Sequence, residues 1–143
     1  MIRKILLCID RSEYTKRNVE YACNLAKDLN AELSILHVVE RGVHAPYVAT
    51  PEGSIDHHLY IKEAEKFLNN ITKEIKLQEL KISTKVMLTY GNAAYTIIEY
   101  AKKEKFDLLV LGAMGTSEIK DLFLGSVAHA VARHAPCSIL IVR

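Results

Sequence analysis

Gly112, Gly115, Gly125 and Ser126 fall within one run of fifteen residues, GAMGTSEIKDLFLGS, which takes three of the chain's six glycines. Glycine tolerates positive φ and lets a ligand approach the backbone closely. A helix beginning near Ser126 would aim free N–H groups, and about half a positive charge of dipole, at the same space. The Ser126 hydroxyl could donate to an anion held there. These are the elements of phosphate binding. A surface turn with Ser126 as a helix cap uses the same residues, and the residues alone favour neither. No GxxxxGK[ST] or GxGxxG occurs, so neither familiar phosphate-loop motif explains the run.

Other chemistry is sparse. The six histidines form no HxxxH or HExxH pair, and Cys8, Cys23 and Cys137 are odd in number with no CxxC spacing. Neither a protein-built metal site nor a disulfide framework is expected. No GxSxG elbow is present and no nucleophile has a recognisable base. Asp10, Glu13 and Asp121 could orient a water, which supports slow hydrolysis at most. The net charge of +2 lacks the clustered excess of a nucleic-acid binder. The densest run, KKEK at 102–105, sits at an expected helix end, where cations suit the dipole. The apolar run in MIRKILLCID is too short for a signal peptide, and no stretch reaches transmembrane length, so a cytoplasmic protein is expected.

The elements that must position the glycine run alternate along the chain. Continuous apolar stretches predict strands at 4–9, 31–39, 83–90, 106–112 and 137–142. Helical spacing predicts helices over 15–29, 57–79, the segment marked by Ala93, Ala94, Ile97, Ile98 and Ala101, and 126–134. Ser12 is expected to cap the first helix and Asn92 the third, and Pro136 to stop the last. Residues 40–56 carry two of the three prolines and no periodicity. That length is unusual for a connection and marks it for function or mobility. A βαβαβαβαβ order implies an α/β fold, a parallel sheet with helices on both faces in one domain, 1–143. Ligands of such sheets bind beyond the strands' C-terminal ends, where strand order reverses.

The spacing G-x2-G-x9-G-[ST], met by Gly112, Gly115, Gly125 and Ser126, resembles the ATP-binding signature of the universal stress protein family. Other stretches resemble further parts of the family's sequence: DRSE after the first strand, LHV closing the second, GNAAYTIIEYA, and the ending LGSVAHAVARHAPCSILIV. The resemblance spans nearly the whole chain. It implies a three-layer open twisted sheet of five parallel strands in the order 3-2-1-4-5, similar to the adenine-nucleotide α-hydrolases. It implies that Asp10 and the Val38 backbone flank adenine and ribose, and that Gly112 packs under the ribose. Gly115, Gly125, Ser126 and the Val127 amide would hold the phosphates. The ligand would be ATP, or AMP or ADP, with magnesium carried on the phosphates. The resemblance also implies a homodimer through the last strand, 137–142, which as an apolar edge without proline invites pairing.

Two positions depart from the pattern. Met114 stands where many ATP-binding members carry Arg or His, and Ala128 where a hydroxyl often follows the helix start. A cation at 114 could add a charge-assisted bond of roughly 1.5–3 kcal/mol, which methionine cannot. Triphosphate binding is therefore expected to be weaker than in a member retaining both. Lys120 could restore some charge. The leading expectation is an ATP-binding stress-response switch. The alternative is a dimeric interaction module with a weak or vestigial site. An adenylyl-transferring enzyme would need an SGGxDS-type loop, which IDRSEYT is not.

Overall fold

The computed structural model describes residues 1–40, 57–74, 80–89, 91–115 and 124–143. The long connection expected at 40–56 lies outside these beyond Glu40, as do His44, Tyr90, Lys120, Asp121 and the end of the second expected helix. The elements are β1 (Lys4–Ile9), α1 (Thr15–Leu29), β2 (Glu32–Glu40), α2 (His57–Glu74), β3 (Ile82–Thr89), α3 (Ala93–Glu104), β4 (Leu108–Gly112), α4 (Ser126–His134) and β5 (Ser138–Val142).

All five strands pair in parallel in the order β3-β2-β1-β4-β5, as expected. β1 lies at the centre and is buried on both faces, which is why KILLCI reads as a continuous apolar run. Its side chains alternate. Ile5, Leu7 and Ile9 join Val19, Ala22 and Ala26 of α1 and Leu68 of α2 on one face. Leu6 and Cys8 join Ala94, Ile97 and Ala101 of α3 and Val131 of α4 on the other. Each fully buried aliphatic side chain contributes about 1.5–3 kcal/mol, so these two layers dominate the stability.

Ser12 does not cap α1. The helix is preceded by Tyr14, which makes no side-chain cap bond. Asp10 organises the turn instead. Its Oδ1 accepts from the Ser12 N–H at 3.0 Å, and its carbonyl accepts from the Thr15 hydroxyl. This is an Asx-type turn, and the Thr15 N–H at the start of α1 goes to the Ser12 carbonyl rather than to its hydroxyl. Asn92 does cap α3, accepting from the Ala94 N–H at 2.7 Å. The starts of β2 and β4 lie later than expected because the preceding helices end on tight turns. Asn30 and Lys105 adopt left-handed φ of 51° and 55°, and the Ala31 and Phe106 N–H groups bond back to Ala26 and Ala101. Asp107 then joins the start of β4 to β1, accepting from the Arg3 and Lys4 N–H groups at 2.8 and 2.9 Å.

Candidate functional site

Strand order reverses about β1: its crossover through α1 leads to β2 on one side, while β4 lies on the other. A cavity of about 500 Å³ opens at the C-terminal edge of these three strands. Asp10, Val38, Gly112, Gly115, Gly125, Ser126 and Val127, the seven residues singled out from the sequence, all line it. So do Met114 and Ala128.

The glycines are there for close approach, not for left-handed backbone. None of Gly112, Gly115 and Gly125 has φ in the left-handed region. A Cβ on Gly112 would meet Asn18 Nδ2 at 2.6 Å and the Met114 carbonyl at 3.2 Å. One on Gly115 would meet Asp10 Oδ2 at 2.9 Å, and one on Gly125 the Ala113 carbonyl at 3.4 Å. At Gly112 and Gly115 the floor of the site thus leaves no room for a side chain, while at Gly125 a Cβ would make ordinary contact.

Backbone bonds hold the floor in place. The Ala113 N–H donates to the Val142 carbonyl at 2.8 Å, and the Gly125 N–H donates to the Ala113 carbonyl at 2.8 Å. Gly125, not Ser126, is the residue before α4, and it offers no side-chain cap. Ser126 is the first helical residue. Gly125's own N–H is taken, so the Ser126, Val127 and Ala128 N–H groups are left without an acceptor among the described residues. All three residues line the cavity. An uncapped helix start of this kind is an anion site.

Asp10 serves two ends. Oδ1 builds the turn described above, while Oδ2 faces Gly115. Val38 is placed by the ladder. The Glu32 N–H bonds to Arg3 of the β1 side and the Leu33 N–H to Lys81 of the β3 side. Even-numbered residues of β2 therefore direct both backbone groups toward β1. β1 ends at Ile9 opposite His37, so the Val38 carbonyl faces the space beyond it. Leu36, Val38, Ile97 and Leu111 give that end of the cavity an apolar wall.

Glu40 and Asn18 were not singled out in the sequence. Glu40 Oε1 accepts from the Ala93 N–H at 2.7 Å, joining the end of β2 to the start of α3 at the cavity rim. Asn18 is 3% exposed, lies beneath Gly112, and leaves its Oδ1 without a partner. Its helical register with Ala22 and Ala26 was the available signal. Asp10 and Glu40 are both acidic, and the described lining holds no cation. No cluster of three His, Cys, Asp or Glu able to hold a metal occurs among the described residues.

His37 lies near the cavity and Cys8 lines it, but neither enters this chemistry. The His37 ring is buried on the opposite face, bonded through Nδ1 to the Ile9 carbonyl at 2.9 Å and set edge-on to Phe67 at 5.2 Å. Burial pulls its pKa down, toward the neutral ring. Burial pushes the Cys8 thiol far up, which makes it a poor nucleophile.

The model of the universal stress protein family matches residues 1–143. A universal stress protein of Bacillus subtilis, YxiE, is 37% identical over the full length of both chains. Among solved structures, universal stress protein UspA from Lactobacillus plantarum superposes with a TM-score of 0.79 at 27% identity, covering 99% of this chain and 98% of that one. A universal stress protein solved in complex with cAMP gives 0.69 at 26% identity, covering 99% and 97%. No helix among the described residues is long and apolar enough to cross a membrane.

Proposed function

Because the chain belongs to the universal stress protein family, we propose that it binds an adenine nucleotide in the cavity beside β1 and acts as a nucleotide-dependent switch in the stress response. The observation that carries this is the uncapped start of α4. Its free amides share one cavity with the glycine floor and the Val38 carbonyl. Phosphates suit the α4 end, where amides and dipole favour an anion. A base suits the apolar wall of Leu36, Val38 and Ile97. Asp10 Oδ2, between them, accepts a ribose hydroxyl, and Gly112 leaves room for the sugar. The structure similar to this one that holds cAMP supports the nucleotide class.

Selection between nucleotides follows from what the α4 end lacks. Met114 and Ala128 supply no polar side-chain contact there, and the described lining holds no cation. The helix start can satisfy one phosphate group well, whereas a triphosphate adds charge beside Asp10. Magnesium on the phosphates would offset that charge, and Asp10 Oδ2 is a fitting oxygen for it. AMP and ADP should therefore bind nearly as well as ATP. We place the protein in the cytoplasm as a homodimer paired through β5, whose Ile139, Leu140 and Ile141 are only half-buried.

Denaturing the purified protein and chromatographing the released small molecules tests the reading, with calorimetry at millimolar ATP and magnesium as the second arm. Recovered adenine nucleotide or saturable heat is expected. Absence of both would overturn it. The bare acidic lining favours a second reading, an interaction module with a vestigial site. In that case Gly115→Val would leave association with its partner unchanged.

A further inference from the structure

Two helices begin at the rim of the cavity, and their first amides are satisfied differently. Those of α4 are open. Those of α3 are closed by the protein's own acceptors: Asn92 takes the Ala94 N–H and the Glu40 carboxylate takes the Ala93 N–H, each at 2.7 Å. Glu40 is thus an internal anion standing at a helix N-terminus. A phosphate has no place at that end. The asymmetry confines a nucleotide's phosphates to α4 and turns its base toward α3, where Glu40, Ala93 and Ile97 line the wall.

Only one carboxylate oxygen is used on Ala93. The Glu40 side chain is exposed at the cavity rim, and Oε2 has no partner among the described residues. Glu40 is even-numbered on β2, like Val38, so it lies on the stretch of strand that runs past the end of β1. The base end therefore presents two acceptors, the Val38 carbonyl and Glu40 Oε2, beside one backbone donor, the Glu40 N–H. Neither an ionised carboxylate nor a carbonyl can donate.

Resting on the adenine-nucleotide reading above, we propose that Glu40 is a specificity-determining residue. Oε2 accepts a hydrogen bond from the exocyclic amine of the base, so the site takes 6-aminopurines and rejects 6-oxopurines. An amine brings two N–H donors to this pair of acceptors. A 6-oxo group brings only lone pairs, so even where it accepts from the Glu40 N–H it leaves the carboxylate facing a carbonyl oxygen.

The test compares ATP with ITP, which carries oxygen in place of the amine, by calorimetry with magnesium. The wild-type protein should prefer ATP by at least about tenfold, the scale of one charge-assisted hydrogen bond at a partly wet site. Glu40→Gln keeps an oxygen for the Ala93 N–H and offers an N–H₂ to the 6-oxo group. It should bring the ATP-to-ITP ratio close to unity. Glu40→Ala, which removes the acceptor altogether, should also lower it. A residue that only anchors α3 would weaken both ligands alike, so an unchanged ratio in both variants overturns the proposal. Equal binding of ATP and ITP by the wild type overturns it too, while leaving nucleotide binding intact. Binding of neither overturns both readings.

Discussion

Gly112→Ala is the sharpest test of how the site is assembled, because its consequence needs no ligand. The new methyl would stand 2.6 Å from Asn18 Nδ2 and 3.2 Å from the Met114 carbonyl. Neither neighbour can step aside cheaply. Asn18 is 3% exposed on the inner face of α1, and Met114 belongs to a segment whose neighbour Ala113 is bonded on both sides. Overpacking of this kind costs about 1–3 kcal/mol. At this chain length each kcal/mol moves the melting temperature by about 3 °C, so a fall of roughly 3–10 °C is expected. Thermal unfolding followed by circular dichroism reads it. The cause is isolated by adding Asn18→Ala. That change alone should be mild, about 1 kcal/mol or less, because the amide it removes carries an unpaired buried oxygen. Together the two substitutions should destabilise less than their sum, with a coupling of about 1 kcal/mol or more. An unchanged midpoint in Gly112→Ala, or strict additivity in the pair, would refute the close-approach account.

Met114→Arg should tighten ATP more than AMP, by about tenfold for one added charge-assisted bond, measured by calorimetry at fixed magnesium. For His37, the folded pKa lies below the free value of 6.5. The unfolded ring then binds a proton that the folded ring refuses, so the contribution is complete above that value and is lost as pH falls toward the folded pKa. His37→Gln should flatten the decline in urea midpoint between pH 7 and 5 relative to the wild type, and an equal slope would count against the assignment. The Ala113 N–H bonds to the Val142 carbonyl, so even-numbered residues of β5 face β4, and Ile139 and Ile141 direct their backbone groups to the open edge. Ile141→Pro should therefore convert a β5-paired dimer to monomer in sedimentation analysis while leaving the β4–β5 ladder whole.

Local pattern carried most of the architecture. Ile5 to Ile9 are buried on both faces, and that is what an unbroken apolar run in a parallel sheet means. The helix over 15–29 follows its stripe of Val19, Ala22, Cys23 and Ala26 to the residue. The misread points are those where two local signals compete or where the partner is distant. Ser12 meets the first amide of α1 through its carbonyl and not its hydroxyl, in a turn that Asp10 holds by the Ser12 N–H, and spacing cannot say which oxygen is used. Glu40 acts on Ala93 across 53 residues of chain, so it reads as an unremarkable strand end. Asn18 sits on the buried stripe of α1, but its polar type masks it in a hydrophobic pattern. The cradle's glycines were legible by spacing. Their reason was not, because close approach depends on α1 and the Asp10 turn, which no local spacing brings to them.

Ala113 gives the fold a property beyond its chemistry. Its N–H holds the last residue but one, Val142, and its carbonyl holds the residue that opens α4. A single peptide unit on each side of one residue thus ties the ligand's seat to the outermost strand. Tension applied at Gly125 is delivered to the rim where a second subunit would lie, with no side chain in the path. The floor of the cavity and the border of the sheet form one mechanical linkage. Slower hydrogen exchange at the Ala113 amide when nucleotide is added would register the pull, and an unchanged rate would show the linkage slack.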